Sequence, residues 1–185
     1  MTNILIIGAS RGLGLALSIG LAHTGDTLWL VSRTRPESLD RSDGITRRWI
    51  QTDLNMPLDA ASSISAVLDG QAIDVLIYNA GIWEPGSFGG DYQFETVSPQ
   101  INLNIINVNL TAAVACIQAV LPNVKAASNA KVILIGSTSG LENVRAPEVA
   151  YTASKFGLRG VAHALRESLR KDGVAVTCIN PGTFS

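Results

Sequence analysis

Cysteine is scarce in this chain. Only two occur in 185 residues, Cys116 in a helical stretch and Cys178 in a strand-like one. Neither belongs to a C-x-x-C pair or to any metal-ligand spacing, so they read as small buried hydrophobes of a reducing compartment, with no disulfide framework. Histidine is as rare. His23 and His163 lie on helical stretches with no ligand partner in sequence, both read as structural or surface residues, and no metal site is expected. An excess of either charge is missing too: 14 Lys and Arg face 15 Asp and Glu, for a net charge of −1. That balance excludes a nucleic acid or an anionic membrane recognised by bulk charge. The first apolar run, Ile4 to Ile7, is far too short for a signal core or a membrane span. It has neither a charged n-region nor a small-residue cleavage site beside it. No repeat, low-complexity tract or linker appears. The expectation is one cytoplasmic, soluble domain.

Apolar residues make up 46% of the chain and charged residues 16%, a globular balance with a large buried sheet. The organising stretch is Ile4 to Gly14, I-L-I-I-G-A-S-R-G-L-G. Its apolar run reads as a strand buried on both faces, and a helical pattern follows at once. Gly8 lets the chain turn off the strand, Gly12 lets a ligand approach the backbone, and Gly14 lets the helix pack on the sheet. The free N–H groups and positive dipole end of that helix suit a pyrophosphate.

Further strands are expected at Thr27–Val31, Arg48–Thr52, Ile73–Tyr78, Val132–Ile135 and Val174–Ile179. Helices are expected at Leu13–His23, Ala60–Leu68, Ile101–Ala127 and Glu148–Lys171. The third of these is apolar on almost every face, as a helix buried on two sides would be. Arg33–Gly44 carries Pro36 and allows at most one helical turn, while Ile82–Ser98 reads mostly as loop. Alternating strands and helices predict an α/β fold: a Rossmann-type doubly wound parallel sheet in three α/β/α layers, one domain over residues 1–185. Ligands bind such sheets outside the carboxyl ends of the strands, at the switch in strand order. That edge would carry Gly8–Gly14, Ser32-Arg33, Asp53, Asn79-Ala80-Gly81, Ser137 and Pro181-Gly182-Thr183.

Tyr151 and Lys155 share a helix face at a spacing of four in Y-T-A-S-K. A free phenol titrates near pH 10. An ammonium about 4 Å away, at an effective dielectric near 20, would lower that by about three units and suit the phenol to acid–base work near neutrality. G-A-S-R-G-L-G, Y-N-A-G, V-N-L, I-G-S-T-S-G, Y-T-A-S-K and N-P-G-T occur in one order and spacing. Together they resemble the short-chain dehydrogenase/reductase family, in its branch with G-x-x-x-G-x-G, over essentially the whole chain.

The resemblance implies Tyr151 as catalytic acid/base, Lys155 lowering its pKa and holding the nicotinamide ribose, and Ser137 bonding the substrate oxygen. Asn109 would hold a water of the proton relay. Asn107 and Ser139 are the neighbouring candidates. It implies cofactor contacts at Gly8, Ser10, Arg11, Gly12, Leu13, Gly14, Asp53, Leu54, Asn79, Ala80, Gly81, Pro181, Gly182 and Thr183. NAD-dependent relatives carry Asp at the end of the second strand. Ser32 stands there, followed by Arg33, with Arg11 in the glycine turn, so NADP(H) is the preferred cofactor and NAD(H) the second choice. A small carbonyl/alcohol substrate is implied, walled by Trp83, Phe88, Leu141 and Val144, and so is a homodimer or homotetramer. The family continues past the point reached at Ser185 with a substrate-covering segment, a helix and a last strand, and these are expected to be missing from the sequence read here. The competing readings are an idle NADP-binding sensor or scaffold and a sugar-nucleotide epimerase. The second is disfavoured because those relatives use G-x-x-G-x-x-G and a larger C-terminal domain.

Overall fold

The computed structural model describes residues 1–87 and 90–182. Six parallel strands form a single sheet: β1 (Asn3–Ile7), β2 (Thr27–Ser32), β3 (Thr46–Gln51), β4 (Val75–Tyr78), β5 (Lys131–Ile135) and β6 (Ala175–Ile179). Their order is β3-β2-β1-β4-β5-β6. The chain winds outward from β1 to β3, then crosses back to begin β4 on the other side of β1. The switch therefore falls between β1 and β4, where Ile7 pairs with Tyr78.

Side-chain alternation along each strand divides the interior in two. Leu5 and Ile7 of β1 point into the larger core, and Ile4 and Ile6 into the smaller one. All four are 4% exposed or less. Their burial is worth about 6–12 kcal/mol in transfer free energy, an upper figure because the unfolded chain already hides part of this surface. The larger core is closed by α2 (Pro57–Leu68), α4 (Ala112–Lys125) and α5 (Val149–Ser168). The smaller core is closed by α1 (Gly12–Gly20), through Leu13 and Leu17. Helices on both faces give the three layers that the sequence predicts.

The long apolar helix differs from its expected form. It begins as α3 (Pro99–Ile106), where the Ser98 side chain accepts the Ile101 N–H. It then widens into a π-helical turn over Asn107–Thr111 before continuing as α4. Its length and hydropathy would suffice for a membrane span, yet Ala112, Cys116, Ile117, Val120 and Val124 lie at the centre of the larger core. Burial pushes the Cys116 thiol up to about 12, so it stays protonated and inert, as expected of a small core residue. Between β2 and β3 there is a single 3-10 turn, Glu37–Asp40. Pro36 and the polar stretch behind it leave no apolar stripe on which a longer helix could pack.

Candidate active site

The glycine turn is built by close contact. Gly8 has φ of +96°, and a Cβ there would lie 2.6 Å from the Ala80 backbone. At Gly14 a Cβ would lie 1.9 Å from the Gly8 carbonyl oxygen. That oxygen also accepts the Asn79 side-chain N–H at 2.8 Å, so β1, α1 and the end of β4 lock together at one point. Gly14 therefore belongs to the packing under the site. Gly8, Ser10, Arg11, Gly12 and Leu13 line the cavity itself.

This cavity, about 930 Å³, runs along the carboxyl edge of the sheet. At the β2 end it meets Ser32 and Arg33, at the β3 end Asp53 and Leu54, and at the β4 end Asn79, Ala80 and Gly81. Beyond β5 and β6 it meets Ser137, Pro181 and Gly182, with Tyr151 and Lys155 of α5 opposite. The topology thus brings the residues expected at six strand ends to one opening. Phe88 and Thr183 lie outside the described residues, and Leu141 does not line the cavity. Tyr92, Arg145 and Glu148 line it as well; they fall in the expected wall stretches Ile82–Phe94 and Leu141–Val149, though the sequence did not single them out. They sit in loops without periodicity, where no pattern distinguishes a lining residue from a solvated one.

Several side chains are already committed. The Ser32 hydroxyl donates to the Thr34 carbonyl at 2.7 Å and accepts the Trp49 indole N–H at 3.1 Å. What position 32 offers a ligand is mainly the lack of a carboxylate. Arg11 and Arg33 are exposed at the cavity and form no ion pair among the described residues. Asp53 accepts the Asn55 N–H at 3.0 Å, which shapes its own turn.

The π-helical turn aims Asn109 inward, with 0% of it exposed. Its Oδ1 accepts the Ile82 N–H and its Nδ2 donates to the Ile82 carbonyl, both at 2.8 Å, while Nδ2 also donates to Ser154 Oγ at 3.0 Å. Asn109 so holds the loop after β4 against α5. Neither the extra residue in the turn nor Ser154 carried a signal in the sequence, since V-N-L reads the same on an ordinary helix. Wide turns of this kind occur frequently at functional sites.

Ser137 follows β5 with its N–H held by Asn180 Oδ1 at 3.3 Å, and its hydroxyl accepts the Ser139 N–H at 3.1 Å. The Ser137 hydroxyl is hydrogen-bonded to the Tyr151 phenol. Of the two serine candidates, Ser137 is the one whose hydroxyl meets the phenol. Lys155, buried, donates from Nζ to the Ile135 carbonyl at 3.0 Å and lies 5.5 Å from the Tyr151 ring centroid.

The expectation that Lys155 brings the phenol near neutrality does not hold for the protein alone. Burial pushes the Tyr151 phenol up, the Ser137 hydrogen bond pulls it down, and the Glu148 and Glu84 charges push it up again. Burial also lowers Lys155 to about 8, because an ammonium loses more solvation than one carbonyl returns. Burial is the largest influence on both groups.

A glycine turn at a helix start, two guanidiniums with no ion pair among the described residues and a Ser–Tyr–Lys cluster share one sheet edge, an arrangement that suits a nucleotide-binding oxidoreductase. The comparisons agree. The short chain dehydrogenase family model matches residues 2–185, and the chain belongs to that family of oxidoreductases. An uncharacterised oxidoreductase of Myxococcus xanthus is 32% identical, over 96% of this chain and 70% of that protein. A metagenomic short-chain oxidoreductase solved in complex with NADP is 31% identical with a TM-score of 0.83, over 99% of this chain and 83% of that one. The NADH-dependent reductase A1-R′, solved with NAD, is 25% identical with a TM-score of 0.85, over 98% and 77%. The chain spans only part of the length of the curated relatives it matches, 54% of one and 75% of another. A nicotinamide dinucleotide is thus the cofactor of this fold.

Proposed function

We propose that the protein interconverts a carbonyl compound and an alcohol with NADP(H), using Tyr151 as proton donor and acceptor. The observation that carries this reading is the Ser137–Tyr151 hydrogen bond with Lys155 beside the ring, in a cavity that also takes in the α1 N-terminus. The cavity fits the cofactor. Arg11 makes no side-chain cap at the start of α1, and the N–H groups of that first turn would receive the pyrophosphate. Lys155 faces the nicotinamide ribose end, beside Gly81, whose missing side chain leaves Nζ 3.2 Å from a Cβ position there. When bound, the nicotinamide supplies or accepts a hydride at C4.

The residues of the chain do the rest. Ser137 holds the carbonyl oxygen of the substrate. In reduction, the carbonyl carbon gains the hydride while the Tyr151 O–H bond breaks and its proton passes to that oxygen. Oxidation runs the same steps backward. Trp83, Tyr92 and Val144 line the remaining wall, which suits a partly apolar substrate. Screening carbonyl compounds for loss of NADPH absorbance tests the reading. Tight NADPH binding without oxidation by any class of ketone or aldehyde would leave the sensor or scaffold reading in its place.

Cofactor choice rests on Arg11 and Arg33, exposed at the adenosine end with no carboxylate at position 32. One charge-assisted contact to a 2′-phosphate is worth about 1.5–3 kcal/mol, or roughly 10- to 150-fold in affinity. Arg33→Asp should therefore weaken NADPH by that factor and leave NADH little changed, as read by fluorescence titration of both. Equal losses would remove the assignment.

Leu103 and Val114 of the long helix and Phe156 of α5 are exposed apolar side chains on helices otherwise well packed. Their burial between copies would form the homodimer or homotetramer. Light scattering at micromolar concentration should show no monomer, and a monomer there would reject the assembly.

A further inference from the structure

Helix α5 begins without a capping side chain of its own. Glu148 precedes it and makes no side-chain cap. Its first N–H groups are instead received by the loop that follows β4. Glu84 Oε1 accepts the N–H of Ala150 at 2.8 Å and that of Tyr151 at 3.1 Å. The Tyr92 hydroxyl accepts the N–H of Val149 at 3.1 Å. Glu84 is 0% exposed, and its second oxygen, Oε2, is buried without a hydrogen bond among the described residues.

A carboxylate with one idle buried oxygen is a costly way to cap a helix, since a serine or asparagine caps as well at no charge. The cost implies a use for the charge. The helix whose start it grips carries Tyr151, and Glu84 follows directly on Trp83, whose ring meets the Tyr151 ring edge-on at 6.5 Å. From its packing partners the phenol faces few charged or titratable groups. Lys155 lies on its own helix and Glu148 just before it, Glu84 and Tyr92 in the loop after β4, and Arg145 in the loop before α5 along the same cavity. Cys178 stands on β6 beyond Lys155. The α3 segment packed on the ring, with Ile101, Ile105 and Ile106, brings no charge.

We infer that Glu84 is a positioning residue for Tyr151: its buried carboxylate grips the first turn of α5, aims the phenol at Ser137 and sets the pH at which the phenol exchanges its proton. This rests on the reading of Tyr151 as the proton-transferring group, and nothing in the family motifs named above includes position 84. The direction of the effect follows from charge. A nearby carboxylate disfavours the phenolate, in keeping with the upward push of Glu84 on Tyr151. Removing the charge lowers the pH at which the phenol ionises. Reduction, which needs the protonated phenol, then loses its high-pH activity earlier.

The test uses Glu84→Gln, which keeps an accepting oxygen for both N–H groups and removes the charge. Two readouts are taken on the full chain: the pH profile of kcat/KM for carbonyl reduction, and ultraviolet titration of the phenol with Tyr151→Phe as the blank. The expected result is a downward move of both by about one pH unit, with a melting temperature near that of the parent. A folded Glu84→Gln with neither readout moved would overturn the proposal. So would a profile that moves while the phenol titration stays still. The titration needs no turnover, so it judges Glu84 even if Tyr151→Phe proves active and the reading of Tyr151 itself fails. Should Glu84→Gln not fold, Glu84→Asp keeps the charge but shortens the reach by one methylene. It should lower kcat at least several-fold with KM for NADPH unchanged, and an unchanged kcat would overturn the role in aiming the phenol.

Discussion

Tyr151→Phe should cut carbonyl reduction by about 10²- to 10⁴-fold, the usual worth of one general acid, while NADPH binding stays within a factor of about two. The ring is held by contacts that phenylalanine preserves: Ile105 and Ala150 around it, and the edge of Trp83. The oxygen alone is lost, and with it the hydrogen bond to Ser137. Ser137 keeps the Ser139 N–H that it already accepts. The ring packing and the cofactor end of the cavity are thus unchanged. Single-turnover absorbance of NADPH and fluorescence titration separate the two effects. A variant that loses cofactor binding in parallel with turnover would place the phenol in a binding role. One that keeps turnover would remove Tyr151 from the chemistry.

Gly14→Ala should be the most damaging of the Gly→Ala changes among the described residues. The new Cβ would stand 1.9 Å from the Gly8 carbonyl oxygen and 2.6 Å from Asn79 Nδ2. The first contact is backbone, in a residue itself held at φ of +96° against Ala80, so it has no direction in which to yield. Relief requires α1 to move off the sheet and the Asn79–Gly8 hydrogen bond to break. Overpacking of this kind costs about 3 kcal/mol or more. For a domain of this size that lowers the melting temperature by roughly 6–12 °C. Gly20→Ala, at the other end of the same helix, meets nothing within 4 Å and should be neutral or stabilising by about 0.5–1 kcal/mol. Equal melting temperatures for the two variants would reject the close-packing account. NADPH should raise the Gly14→Ala melting temperature less than the parent's, because the shifted helix start no longer meets the pyrophosphate.

The strands were legible because each is an apolar run whose alternate residues must both be hidden. β1 is the clearest instance, with Ile4 and Ile6 in one core and Leu5 and Ile7 in the other. The boundaries shifted by a residue or two where polar residues still pair, as at Asn3 and Thr46. The single turn at Glu37–Asp40 was legible for the opposite reason, the absence of a stripe to bury. Residues that sit where strands end, such as Arg33, Asn79 and Ser137, could be named in advance, because a parallel sheet puts all its carboxyl ends on one edge. Residues in the loops between could not. Glu84 looks in sequence like any charged loop residue, and only the fold shows it buried under α5.

By itself the sequence determined the α/β order, the sheet edge on which the site lies and the Tyr151–Lys155 pair, for these follow from periodicity and from spacing along one chain. Only the tertiary structure decided the electrostatics. How a phenol titrates depends on solvent exclusion and on groups the fold brings beside it: the Ser137 hydroxyl after β5, and the carboxylates of Glu148 and of Glu84 from the loop after β4. The inward turn of Asn109 likewise needed the partner it serves, Ile82, which lies 27 residues earlier. Local pattern governs which element forms because backbone periodicity is local. Proton affinity and hydrogen-bond satisfaction are set by whatever the fold brings alongside, and no spacing in the chain records that.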